Sequence, residues 1–325
     1  MELFKPEPES AHTQLRALTM VARSGSNGLA RPQRAMLDAI QQVLFETDLD
    51  VENLEPIDEG ALFPACGDPF EARQLIRFMI LTAIAEGPPS LEQARLIDSF
   101  SEFLKVDEPA VGVISNLSKN RMLRFRVGFA RRAHIRTYMR NSKKLLGGVF
   151  PVVKAVLRFR GLLGPDEELA SRFRALGDMP LGTLGREFHD HCHDAEIGFS
   201  GEVGGFPLGA VYHDFSHVLS GCDVSPEGEI KNAGFQAGFC KGEEDFFTTL
   251  FANLIHTAGI NLTPFDMPIE LGRIAQGTLA VDWLREIKRG SAMSVDLGDD
   301  WNFWDFVELP VDVAREKLGV PPIAG

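Results

Sequence analysis

The chain has almost no tyrosine, two residues against 24 phenylalanines in 325, so its aromatic mass arrives without hydroxyls that need partners. Only four cysteines occur, Cys66, Cys192, Cys222 and Cys240, and none forms a C-x-x-C pair. That spacing argues against a disulfide framework or a zinc ribbon and suits a reducing cytoplasm. Cys222 reads as a small apolar filler. No apolar run reaches the ~18 residues of a membrane span. The opening MELFKPEPES lacks the basic start and apolar core of a signal peptide. Strand signals are also few, so the expected fold class is all-α, and 325 residues suggest two domains rather than one.

Acid is missing from one long stretch. Residues 109–164 carry 13 Lys and Arg and no Asp or Glu. Residues 1–108 carry 9 basic and 19 acidic side chains, and residues 165–325 carry 11 and 27. This divides the chain into a helical domain (1–110), a basic amphipathic connector (111–164) and a second helical domain (165–325). Leu123, Phe125, Phe129, Ile135 and Met139 are interleaved with Arg124, Arg126, Arg131, Arg132, Arg136 and Arg140. Leu145–Leu157 is nearly apolar but is interrupted by Pro151 and Lys154. A basic, apolar, acid-free segment suits an anionic membrane surface, and implies a peripheral protein on the inner face of the membrane. The competing reading is a clamp that docks between the two acidic flanks and neutralises them. No nucleic-acid partner is expected, because the flanks repel phosphates and no reader motif is present.

Helix-period patterns cover His12–Val21, Arg34–Glu46, Phe70–Ala85 and Leu91–Leu104, with Pro32, Asp68-Pro69 and Ser90 as start signals. Later ones cover Asp166–Leu176, Thr183–Ala195, Pro207–Leu219, Ile230–Phe239, Glu244–His256 and Leu271–Lys288. Chemistry concentrates in Tyr212–Glu229. His213 and His217 stand four apart, so a helix puts both imidazoles on one face. Ser220-Gly221 and the segment to Gly228 read as a helix end and a turn. The chain can therefore double back and bring Glu229, at the start of the next helix, to face the two histidines. Asp214, one position round, either completes the site or orients a ligand histidine. A zinc-protease pattern would need Glu at that position as its base. A phosphohydrolase would need an upstream histidine, drawn from His189, His191 or His193, and a late acid such as Asp282. The spacing does not select these, and the three histidines read as structural or solvent-facing.

His-Asp-x-x-His, eleven residues, then Glu resembles the motif of the coenzyme Q (ubiquinone) biosynthesis protein 4 family, matched by His213, Asp214, His217 and Glu229. Pro180–Arg186 and Trp301–Val320 are similar to the family's flanking text, so the resemblance covers residues 125–320. It implies oxidative removal of the ring carboxylate at C1 of a polyprenylated benzoate. The four motif residues would be both metal ligands and catalytic residues. The implied cofactor is a divalent metal: zinc suits mixed His and carboxylate ligation, and iron, manganese or magnesium stay open. Implied partners are a polyprenylated aromatic lipid and other quinone-pathway enzymes. Phe235, Phe239, Phe247 and Phe251, in two pairs at four-residue spacing, are candidates to line the pocket for its tail. A non-catalytic metal- and lipid-binding scaffold is the alternative. The first domain resembles the TerB-like (tellurite-resistance) helical domain, through a weak repeat that aligns Gly28 with Gly87 and Leu37 with Leu96. Its loops lack most of the carboxylates of that family, so no metal residues are assigned there, and it reads as a scaffold or docking module.

Overall fold

The computed structural model describes residues 1–132, 149–242, 245–263, 269–299 and 301–323. The fold is all-α. Among the described residues there is no strand, only an isolated antiparallel bridge between Thr183 and Pro310. The helices in chain order are α1 (Pro8–Arg23), α2 (Arg31–Ile40), α3 (Leu62–Ala65), α4 (Pro69–Ile84), α5 (Leu91–Phe103), α6 (Pro109–Ser118), α7 (Met122–Ala130), α8 (Val149–Phe159), α9 (Glu167–Arg174), α10 (Leu184–Asp194), α11 (Val211–Ser220), α12 (Pro226–Phe239), α13 (Asp245–His256), α14 (Leu279–Ser291) and α15 (Val311–Leu318).

Local chemistry explains where they start. α1, α2, α4, α6 and α12 each have proline in the first turn, where its missing N–H costs nothing. The side chains of Asp68, Ser90, Glu108, Asp166, Thr183 and Ser225 cap α4, α5, α6, α9, α10 and α12. One expected helix begins later than its apolar pattern. The stretch from Leu271 is not helical until Leu279, because Gly272 and Gly277 take positive φ of 71° and 49° around a short 3-10 turn.

Packing crosses the boundary that the charge pattern draws at residue 110. One apolar cluster joins Leu15, Leu37 and Phe78 of the first helices to Phe125 and Phe129 of α7. It continues into Ile230 of α12, Leu250 of α13 and Trp283 of α14. A second cluster is confined to Phe173 onward and includes Phe188, Phe215, Phe235, Phe239, Trp301 and Leu318. Helix α12 contributes to both, so it forms the wall between them. Arg77 of α4 ties the two halves together, donating to Glu108 at 2.7 Å and to Asp245 at the start of α13 at 3.0 Å.

The wall is held closely against α14. A Cβ on Gly290 would overlap the Phe235 carbonyl, one on Gly238 would overlap the Ile287 carbonyl, and one on Gly234 would lie 2.7 Å from the Trp283 oxygen. The two backbones meet where only glycine fits. Gly290→Ala is expected to push α14 off α12 and to lower the unfolding free energy by about 3 kcal/mol, the upper end of the usual overpacking cost. Urea denaturation checks this. An unchanged midpoint would mean that the helices are not held so closely.

In the connector, α7 buries Phe125 and Phe129 inward, with Phe129 5.5 Å from Phe247 and 6.0 Å from Phe251. Its opposite face exposes Leu123 and Val127. Arg126 reaches the Asn261 carbonyl of the second half. Ile135, Arg136, Met139 and Arg140 lie outside the described residues.

Candidate metal centre

Helix α11 carries both motif histidines, and its C-terminal end is fixed by arginines from later in the chain. Arg315 donates to the Val218 and Leu219 carbonyls at 3.1 and 2.9 Å, and Arg289 donates to the Ser220 carbonyl at 3.1 Å. These are carbonyls the helix itself cannot satisfy, and the cations also suit its negative end. Gly221 stops the helix in the left-handed region, φ 77°. The chain reverses and Ser225 caps α12 by accepting from the Gly228 N–H at 3.1 Å. Gly228 must lack a side chain, because a Cβ would overlap the Asp223 backbone oxygen and carboxylate. This turn sets Glu229 in the first turn of α12, facing back at α11.

The three side chains converge. His213 Nε2 lies 3.4 Å from His217 Nε2 and 3.6 Å from Glu229 Oε2, and His217 Nε2 lies 3.3 Å from Glu229 Oε1. Among the described residues these are the one group of three or more His, Cys, Asp and Glu side chains placed to share an ion. The His217 side chain is 1% exposed, whereas His213 and Glu229 are 33% and 25% exposed, so the group opens to solvent on the side of those two residues. His217 Nδ1 is 3.0 Å from the Cys222 carbonyl. A carbonyl only accepts, so that nitrogen carries a proton and Nε2 is the nitrogen left to face the triad. Burial would raise the Glu229 carboxyl, but His217, His213 and His256 outweigh it and hold it at about 2. Burial likewise pulls the His217 imidazolium down, and Glu229, the Cys222 carbonyl and Asp214 bring it above its ordinary value. The triad is thus an anion held between two imidazoles, a donor set suited to a divalent cation.

The chain matches no family model and no curated protein.

Asp214 is not drawn into the triad. It is 3% exposed, and its carboxylate lies 3.8 Å from His191 Nε2 of α10. His191 in turn stacks on His217, with ring centres 5.2 Å apart, and its Nε2 is buried without a hydrogen-bond partner. So His191, set aside with its two neighbours on sequence grounds, flanks the site. His189 instead pairs with Asp190 at 3.1 Å, and the His193 side chain is 77% exposed. Asp282 accepts from Thr278 at 2.7 Å and pairs with Arg285 at 3.5 Å.

The four phenylalanines do not line one pocket. Phe235 and Phe239 pack on each other at 5.5 Å in the second cluster. Phe247 and Phe251 turn the other way, onto Phe129 and the first cluster. Four-residue spacing puts each pair on one helix face, but it cannot say that the faces of α12 and α13 look in different directions.

Two residues escaped the sequence reading. Asn232 and Gln236, 0% and 2% exposed, lie one and two turns after Glu229 on the same face of α12. Gln236 meets His213 Nδ1 at 2.8 Å and Ser216 Oγ at 2.9 Å, and Asn232 Oδ1 accepts from Ser216 at 3.0 Å. The signal was available: polar residues at three and seven positions after a ligand, in a stretch, 232–239, otherwise made of Gly, Ala and Phe.

Proposed function

We propose that the protein binds one divalent cation through His213, His217 and Glu229 and uses it on a carboxylated polyprenyl-ring substrate in ubiquinone biosynthesis. The carrying observation is the convergence of the donors: the two Nε2 atoms stand 3.4 Å apart, with Glu229 Oε2 3.6 Å from His213 and Glu229 Oε1 3.3 Å from His217. Ligand atoms 2.0–2.1 Å from a tetrahedral ion stand about 3.3 Å apart, so zinc fits these positions with one coordination place left for substrate. An octahedral ion at about 2.1 Å would draw adjacent ligands to about 3.0 Å. The cation would supply Lewis acidity toward a carboxylate or phenolate oxygen. Loss of the carboxylate with hydroxylation at the same carbon also takes an external oxidant, and zinc cannot exchange electrons; iron or manganese is the choice if that step occurs here.

The residues supply the rest. His217 is fixed from behind by the Cys222 carbonyl, so its ligand nitrogen is pre-aimed. Glu229 brings the negative charge, stabilised by the N-terminal end of α12. The half-open side of His213 and Glu229 is where a ring carboxylate would approach. Asp214 stays beside His191, a pair placed to orient His217 rather than to ligate.

The tail is proposed to reach the site from the membrane. Leu123 and Val127 of α7, and Val153 and Leu157 of α8, are exposed beside Arg124, Arg131, Lys154 and Arg160. A cavity of about 70 Å³ lies between Lys154 and Arg158 of α8 and the 201–208 segment that leads into α11. Each basic residue near an anionic surface contributes about 1 kcal/mol, and salt weakens it. The test is metal-loaded protein incubated with a polyprenylated hydroxybenzoate in anionic and in neutral liposomes. Flotation with anionic vesicles alone, reversed by salt, together with release of the carboxylate, is expected. Metal binding without turnover would leave the scaffold reading, and equal flotation on both vesicles would leave α7 as an internal clamp.

A further inference from the structure

A histidine that gives Nε2 to a cation must carry its proton on Nδ1, and something must accept that proton. For His217 the acceptor is the Cys222 carbonyl. For His213 the group in place is the Gln236 carboxamide, 2.8 Å from Nδ1 and nearly without exposure. A carboxamide can present either end, since its oxygen and nitrogen have the same shape. With nitrogen toward Nδ1, the imidazole proton is forced onto Nε2 and points into the triad. With oxygen toward Nδ1, the proton stays on Nδ1 and the Nε2 lone pair faces His217 and Glu229. Only the second orientation can hold a cation.

The neighbouring hydrogen bonds permit that second orientation. Asn232 is fully buried and its Nδ2 has no partner while its Oδ1 takes both Ser216 and Ser220, at 3.0 and 3.3 Å. A buried donor left unpaired is costly. If Asn232 is turned over, Nδ2 donates to both serine oxygens. The Ser216 hydroxyl then has one proton to divide between the His213 backbone carbonyl, at 2.6 Å, and Gln236 Oε1, 2.9 Å away beside His213 Nδ1–H. No buried donor of Asn232, Ser216 or Ser220 is then left unpaired, and Gln236 Oε1 can face the His213 Nδ1–H.

We infer that Gln236 is a positioning residue that, with its oxygen toward the ring, fixes the Nδ1–H tautomer of His213. This rests on the metal reading of the triad. Zinc affinity is measured by competition with a chromophoric chelator for wild type, Gln236→Met and Gln236→Glu, with melting temperatures of the zinc-free proteins alongside. Methionine keeps the length but accepts poorly, and should weaken zinc binding by about 10–100-fold. Glutamate offers only acceptors, and should bind zinc as tightly as wild type or tighter even where its buried charge lowers the melting temperature. Independently of any variant, nitrogen-15 spectra of zinc-saturated wild type should show His213 protonated at Nδ1. The inference is overturned if Gln236→Met binds like wild type, if both variants are weakened alike, or if His213 ligates through Nδ1. Wild type that takes up no zinc would instead bring down the metal reading itself, and this inference with it.

Discussion

Purified His217→Ala protein should carry less than about a tenth of the metal found in wild type, against about one ion per chain for the unaltered protein. Loss of a residue that merely supports a ligand costs 10–100-fold in affinity, and loss of a ligand costs more. His217 is the least replaceable of the three. It is 1% exposed, held by the Cys222 carbonyl and stacked on His191, so its ligand nitrogen is the most firmly placed of the three. Its removal leaves His213 and Glu229, a two-point site that solvent reaches. Elemental analysis of both proteins, with helical content as the control for folding, decides the matter. Equal metal in the two would mean that the triad is not the site.

The largest stability effect is expected at Arg77. Its guanidinium lies between Glu108, whose side chain is 1% exposed, and Asp245, at 12%, and stands 5.1 Å over the Phe246 ring. Burial alone would lower the Arg77 pKa, but Asp245 and Glu108 raise it, so the cation persists. Arg77→Leu leaves two carboxylates in the interior without their shared partner. Breaking a buried pair in this way costs about 3–5 kcal/mol. Because the network joins α4, α6 and α13, the loss should appear as one cooperative transition at lower urea, not as melting of one half. Arg77→Lys should recover only part, since an ammonium cannot present the same fixed fork to both acids. A loss below about 1 kcal/mol for Arg77→Leu would place this group with the weak surface pairs.

Much of this molecule could be read from local pattern. Helix starts followed from Pro32, Pro69 and Ser90, whose effect acts within one turn of the chain. The triad followed from equally local facts: four-residue spacing aligns His213 with His217, and Gly221, Ser225 and Gly228 dictate the reversal that returns Glu229. The late start of α14 was less legible, because apolar periodicity through 271–278 competes with two glycines that take positive φ.

Other features depend on which faces meet. That Phe235 and Phe239 look into one cluster while Phe247 and Phe251 look into another is a matter of the angle between α12 and α13. Asp214 shares the motif with the ligands, yet a 100° step round α11 turns it to His191, a residue from a different helix. Charge marked residues 109–164 as separate, but Phe125 and Phe129 bind α7 into a core begun by α1, since apolar area is buried wherever it fits, whatever charge lies on the opposite face. Gln236 owes its place behind His213 to the glycine contacts that hold α12 against α14 and to the arginines that hold α11. By itself the sequence determined the helices, the turn and the three converging side chains, because those are set within a few residues. The tertiary structure alone decided what supports them, because support comes from side chains distant in sequence, and their approach depends on how whole helices pack.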